Sequence, residues 1–146
     1  MNDRARPGRP VDLLGLMHAA HTAQAEVEAK LDTLGLSLPK LLALKALQDA
    51  GEPVPLGQLA ERLSCVKSNI TQLVDRLEAD GLVARESAPG DRRTKLAVLT
   101  AAGRKACGAG VRLQEETERE LLGALSRDES RQLAVLLEKL GGGAAK

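Results

Sequence analysis

The chain has 146 residues, enough for one domain with a substantial core, and 43% of them are apolar. It contains no Phe, Tyr or Trp, so its core is aliphatic, no pocket can stack a ligand on an aromatic ring, and single-stranded nucleic acid finds no stacking platform. The formal net charge of +1 is unevenly spread: residues 62–105 carry nine basic against five acidic residues, whereas 1–61 carry six against eight and 106–146 six against seven, which points to one anion-binding face in the middle third.

No apolar run approaches the ~18 residues that a membrane-crossing helix needs. The N-terminal MNDRARPGRP is basic and Pro-rich without the apolar core of a signal peptide. It reads as a tail, and the chain is expected in the cytoplasm. Cys65 and Cys107 make no disulfide framework. There is no Ser/His/Asp order, phosphate-cradling Gly loop or CxxC pair, so catalysis has no support and no cofactor is expected.

Apolar residues at Leu13, Leu14, Met17, Ala20, Val27, Leu31 and Leu34 predict a first helix over about 11–34, with Gly35 as its stop. At ~1.5 Å per residue it would be about 35 Å long, so part of it should pack outside its own subunit. Ser37 caps a second helix with Pro39 in its first turn and Leu41, Leu42, Leu44 and Leu47 on its apolar face. Gly51 ends it, and Val54 to Leu56 could form a short strand. A short helix over 57–63 follows, then a tight turn, then a helix over about 67–80 with Ile70, Leu73, Val74 and Leu77 inward and Gly81 as its stop. Two β-rich runs, LVARES and TKLAVL, flank a Pro-Gly turn and predict a hairpin. Thr100 caps a helix running into the 120s, with Val111, Leu113, Leu121 and Leu122 as its apolar members. Ser126 and Glu129 form a capping box for a last helix carrying Leu133, Leu136, Leu137 and Leu140, before the tail GGGAAK.

Helix, turn, helix and hairpin in that order make a winged helix-turn-helix, here set between long terminal helices. The recognition helix carries Lys67, Ser68, Asn69, Thr71, Gln72 and Arg76 on its outer face or margins, the residue types that read base edges and phosphates. The N-terminal half of such a helix enters the major groove. On the hairpin, Arg85, Arg92, Arg93 and Lys95 surround the Pro-Gly turn. As a solvated loop they would repel one another for no gain. As a duplex contact they would displace counterions, and a guanidinium at a loop tip suits a narrow minor groove.

Over LAERLSCVKSNITQLVDRLEADGLVAR and DRRTKLAVLTAAG, within a match spanning about 37–106, the chain resembles the MarR family of bacterial transcriptional regulators. The resemblance implies a mainly α fold with a small β-hairpin wing and a homodimer paired through N- and C-terminal dimerisation helices. The implied organisation is a tail and dimerisation helix over 1–36, a DNA-binding lobe over 37–100, and dimerisation helices with a tail over 101–146. It further implies that Arg93 enters the minor groove, that Asp91 helps hold it, and that Arg92 contacts a phosphate or the groove. Val66 departs from the family pattern, standing where a Ser often caps the recognition helix, which leaves Ser64 as an alternative cap.

Cys65 replaces an aliphatic residue in the turn before that helix. It reads either as a small buried apolar residue or as a thiol whose oxidation would displace the helix. His18 and His21, at i, i+3, read as a solvated or packed pair or as two ligands of an incomplete metal site. The expected function is a homodimeric repressor that binds double-stranded DNA at a pseudo-palindromic operator. A small-molecule effector would lie between the dimer interface and the DNA-binding lobe. The alternatives are a thiol- or metal-responsive regulator of the same fold, and a winged helix that binds protein and no DNA.

Overall fold

The computed structural model describes residues 10–64 and 69–142. Helix α1 spans Leu13–Asp32, slightly inside the expected bounds, because Asp12 caps it by accepting the Gly15 N–H at 2.7 Å. It ends where Gly35 turns to a φ of +70° and the Leu36 N–H closes back on the Leu31 carbonyl. Helix α2 (Leu38–Ala50) begins at Ser37, whose Oγ accepts the Lys40 N–H. The orphan Leu38 N–H of its first turn goes to Glu28 Oε1 of α1 at 2.9 Å, which ties the two helices together. Strand β1 (Val54–Pro55) leads into α3 (Leu56–Arg62). Helix α4 (Ile70–Ala79), strands β2 (Val83–Ala88) and β3 (Asp91–Leu99), and helices α5 (Ala101–Leu122) and α6 (Arg127–Leu137) follow, with a wide terminal turn over Glu138–Gly142.

The fold is mainly helical with one small antiparallel sheet. The expected hairpin is one part of that sheet: β1 pairs with the free edge of β3, giving the order β1-β3-β2. Val54 opposite Ala97 anchors the added strand in the core. Leu41, Leu44 and Leu47 of α2, Leu59 of α3, Leu73, Val74 and Leu77 of α4, Val83 and Ala97 form one buried aliphatic cluster. Leu31 and Cys107 close it from the terminal helices.

Helix α5 differs from the expectation. Its buried face is Gly103, Cys107, Gly110 and Thr117, while Val111, Leu113 and Leu121 are half-buried and Leu122 is exposed. The reason is close approach. A Cβ on Gly103 would collide with the Leu82 carbonyl oxygen, and one on Gly110 would stand 2.6 Å from Leu41 Cδ1. The helix therefore lies directly on the base of the hairpin and on α2. Thr100 reinforces that seat: its N–H donates to the Leu82 carbonyl and its hydroxyl to the Gly81 carbonyl.

The capping box of α6 is present, with Ser126 and Glu129 satisfying each other's backbone N–H groups. No residue of α6 is buried, however. Leu133, Leu136, Leu137 and Leu140 are exposed, as are Leu13, Leu14 and Met17 on the first turns of α1.

Candidate nucleic-acid interface

Helix α4 is built to be half-buried. Leu73, Val74 and Leu77 face the core, and Thr71, Gln72, Asp75, Arg76 and Glu78 face solvent. Among the described residues the helix starts at Ile70 rather than Lys67, and its cap is Asn69 rather than Ser64. Asn69 Oδ1 accepts the N–H groups of Thr71 at 3.1 Å and Gln72 at 3.3 Å. That removes the amide oxygen from base reading. Bidentate contact with adenine needs both amide oxygen and NH₂, and among the described residues of α4 Gln72 keeps both on an exposed side chain. Lys67, Ser68, Cys65 and Val66 lie outside the described residues.

The hairpin turns through Pro89 and Gly90, with Ala88 opposite Asp91 and Gly90 at a φ of +77°. Proline first and a left-handed residue second is the order a type II turn requires. Asp91 then braces the tip. Its Oδ1 accepts the Arg93 N–H at 2.9 Å and its Oδ2 accepts the Thr94 hydroxyl at 2.7 Å. The carboxylate therefore holds Arg93 through the backbone. The Thr94 hydroxyl, followed by the Arg93 N–H, lowers the Asp91 pKa below its ordinary value. Arg92 and Arg93 are exposed and have no ion-pair partner among the described residues. Lys95 is exposed with its Nζ 3.2 Å from Ser87 Oγ across the hairpin.

Arg85 is placed differently from the other three wing cations. Its guanidinium meets Asp75 at 2.6 Å and Glu78 at 3.5 Å and donates to the Thr71 carbonyl at 3.3 Å. All three partners lie on α4. Its side chain is only 23% exposed, and its charge is neutralised. Arg85 therefore joins the root of the wing to the recognition helix, so the two polar surfaces move as one body. At the far end of α4, Lys40 of α2 pairs with Asp80 at 2.9 Å.

Cys107 is buried, and loss of solvent pushes its thiol pKa up, so the thiolate is disfavoured. His18 and His21 are exposed on α1, and among the described residues no three His, Cys, Asp or Glu side chains converge on a metal position. Glu28 is committed to the α2 N-terminus. Among the described residues no helix is long and apolar enough to cross a membrane.

Comparison with known proteins places the chain that carries this surface. The MarR family model matches residues 34–94. The transcriptional repressor Rv2887 of Mycobacterium tuberculosis is 30% identical over 116 residues, 80% of this chain and 83% of that protein. The chain belongs to the MarR family. Among solved structures, a Cys-to-Ser mutant of MarR from E. coli complexed with operator DNA superposes with a TM-score of 0.76 at 26% identity, covering 89% of this chain and 99% of that one. BpsR of Bordetella bronchiseptica, whose DNA binding is regulated by 6-hydroxynicotinic acid, superposes with a TM-score of 0.76 at 25% identity over the same shares. The fold is thus the MarR winged helix, and the relatives named are transcriptional regulators.

Sequence reasoning missed two parts of the interface. The capping role of Asn69 was hidden because Ser64 read as the cap and Asn69 as a base-reading residue. The clamp made by Arg85 depends on Asp75 and Glu78, whose i, i+3 spacing on α4 was the available signal.

Proposed function

We propose that the protein is a cytoplasmic homodimeric repressor that binds a pseudo-palindromic duplex operator. Thr71, Gln72 and Arg76 of α4, with Lys67 and Ser68 just upstream, enter the major groove. Asn69 sets the start of the helix. Arg92, Arg93 and Lys95 hold the flanking backbone and minor groove. The observation that carries this reading is the pair of exposed arginines, without an ion-pair partner among the described residues, on a hairpin tip braced by Asp91 and fixed to α4 by Arg85. Cations on a loose loop would lose part of their gain to ordering the backbone, a cost that the Asp91 brace has already met, which leaves the arginine side chains alone to order on contact.

The exposed apolar rows of α1 and α6 are the dimer surfaces, and two copies would set the half-sites about one helical turn, ~34–36 Å, apart. Repression follows by occlusion of a promoter, as the name of the mycobacterial relative suggests. The regulation of BpsR by a small molecule supports an effector site here too. Footprinting on duplex DNA from around the protein's own gene tests the reading. Two protected half-sites with dyad symmetry are expected. Protection indifferent to sequence, or none, would contradict it.

A further inference from the structure

Helices α1 and α5 leave a groove of about 240 Å³ between them, lined by Ala23, Gln24 and Val27 of α1, Leu38, and Gln114, Thr117, Glu118 and Leu121 of α5. The volume lies just below the roughly 300–1,000 Å³ typical of drug-sized ligands, so an occupant must be small. Its aliphatic wall of Ala23, Val27, Leu38 and Leu121 faces the polar side chains of Gln24, Gln114, Thr117 and Glu118, with no lysine or arginine among them. Lys30, the cation that bridges the same two helices, is already paired with Glu120 at 2.6 Å.

On α5 the groove presents two acceptors that are not spent, the Glu118 carboxylate and the Gln114 amide oxygen, beside the second N–H of the Gln114 amide. Thr117 spends its hydroxyl proton on the Leu113 carbonyl at 2.7 Å. Gln114 spends an amide proton on Glu118 Oε1 at 3.2 Å, which fixes the orientation of its amide. Its Oε1 is thereby left buried without a hydrogen-bond partner. A buried orphan acceptor costs about 1–3 kcal/mol and is rare in native structures. The ionised Glu118 carboxylate also only accepts.

We infer that the groove binds a small lipophilic amine, with its ammonium on Glu118 and Gln114 and its apolar body against Ala23, Val27 and Leu38. A carboxylate of the same shape would meet the like charge of Glu118 and the unpartnered Gln114 oxygen, with only the neutral amides of Gln24 and Gln114 as donors. The site therefore favours the opposite charge from the acid that regulates BpsR. Leu38, at the start of α2, is both a wall of the groove and the residue whose N–H binds Glu28 of α1. A ligand here would press on the joint between α1 and the helix that carries the DNA-binding lobe. The regulatory consequence rests on the repressor reading; the binding itself does not.

The full chain is titrated by calorimetry, without DNA, with phenethylamine, 2-phenylethanol and phenylacetate. These three probes share one shape and carry a cation, a neutral hydroxyl and an anion. Phenethylamine should bind at least about tenfold more tightly than phenylacetate. Glu118→Gln should weaken phenethylamine about tenfold and leave 2-phenylethanol within about twofold. Gln114→Leu should weaken both donors. Phenylacetate bound as tightly as the amine, no binding of any probe, or amine binding indifferent to Glu118→Gln would each overturn the inference. Operator binding is read separately by anisotropy. DNA binding without amine binding sinks the amine site alone. Glu118-dependent amine binding in a protein that ignores DNA sinks the repressor reading and leaves the site standing.

Discussion

Arg85, Asp91 and Gly103 show how much single residues decide here. Arg85 gives its charge to Asp75 and Glu78 of α4, so it contributes orientation rather than attraction. Arg85→Ala should lower operator affinity roughly tenfold by freeing the wing from the recognition helix. The slope of log K against log salt should stay the same, because no phosphate contact is lost. A slope that falls with the affinity would make Arg85 a direct contact instead. Asp91 has a folded pKa below its unfolded value of 3.8. Its contribution to stability is therefore fully present above the unfolded value and is lost as pH falls through the folded one. Glu129 of the α6 capping box behaves the same way, its pKa lowered by the Ser126 N–H and hydroxyl. Thermal melts across pH 2–6 should show a shallower acid-side decline for Asp91→Ala than for wild type, with little difference near neutrality.

At the scale of elements, α5 carries the main surprise. A Cβ at Gly103 would strike the backbone of Leu82, so Gly103→Ala should cost about 2–4 kcal/mol. Gly108, on the same helix, meets nothing nearer than Arg112 Nη1 at 4.0 Å. Gly108→Ala should be neutral or stabilise by up to about 1 kcal/mol through helix propensity. Denaturant unfolding of the two variants checks both values. Equal effects would show that α5 does not rest on the hairpin base as described.

The same helix explains what could be read in advance. Element order, the Ser37, Thr100 and Ser126 caps and the inward faces of α2 and α4 were legible, because each is local chemistry or a 3.6-residue repeat of large apolar side chains. The glycine face of α5 was not, since hydropathy weighs side chains and a close-packed glycine has none. The third strand was half legible: Val54 and Pro55 read as extended, but their partner β3 lies over 40 residues away. Among the site residues, the exposed charges of Arg92 and Arg93 were plain in the sequence. The ion pairs that withdraw Arg85 from that set form only when β2 folds across α4.

The whole molecule has one core and two uncovered apolar rows. Leu133, Leu136 and Leu137 on α6, Leu140 in the terminal turn, and Leu13, Leu14 and Met17 on α1 are too extensive for a monomer to leave in water at no cost. Sedimentation equilibrium should find a dimer. Leu136→Glu, at an exposed position that holds no contact within the protomer's core, should shift it toward monomer while the melting of the monomer fold is retained. Operator affinity should fall with it, since two half-sites are then bound independently. A monomer in the wild type would remove the basis for a palindromic site.

The measurement that bears most directly on the central claim is operator affinity across salt for wild type beside Arg93→Ala. If the unpaired guanidinium on the braced tip touches DNA, the substitution lowers affinity, and the slope of log K against log salt drops by about 0.9 for each phosphate neighbourhood lost per dimer half. Equal affinity and equal slope for the two proteins would contradict the account, and the wing would be a solvated hairpin after all.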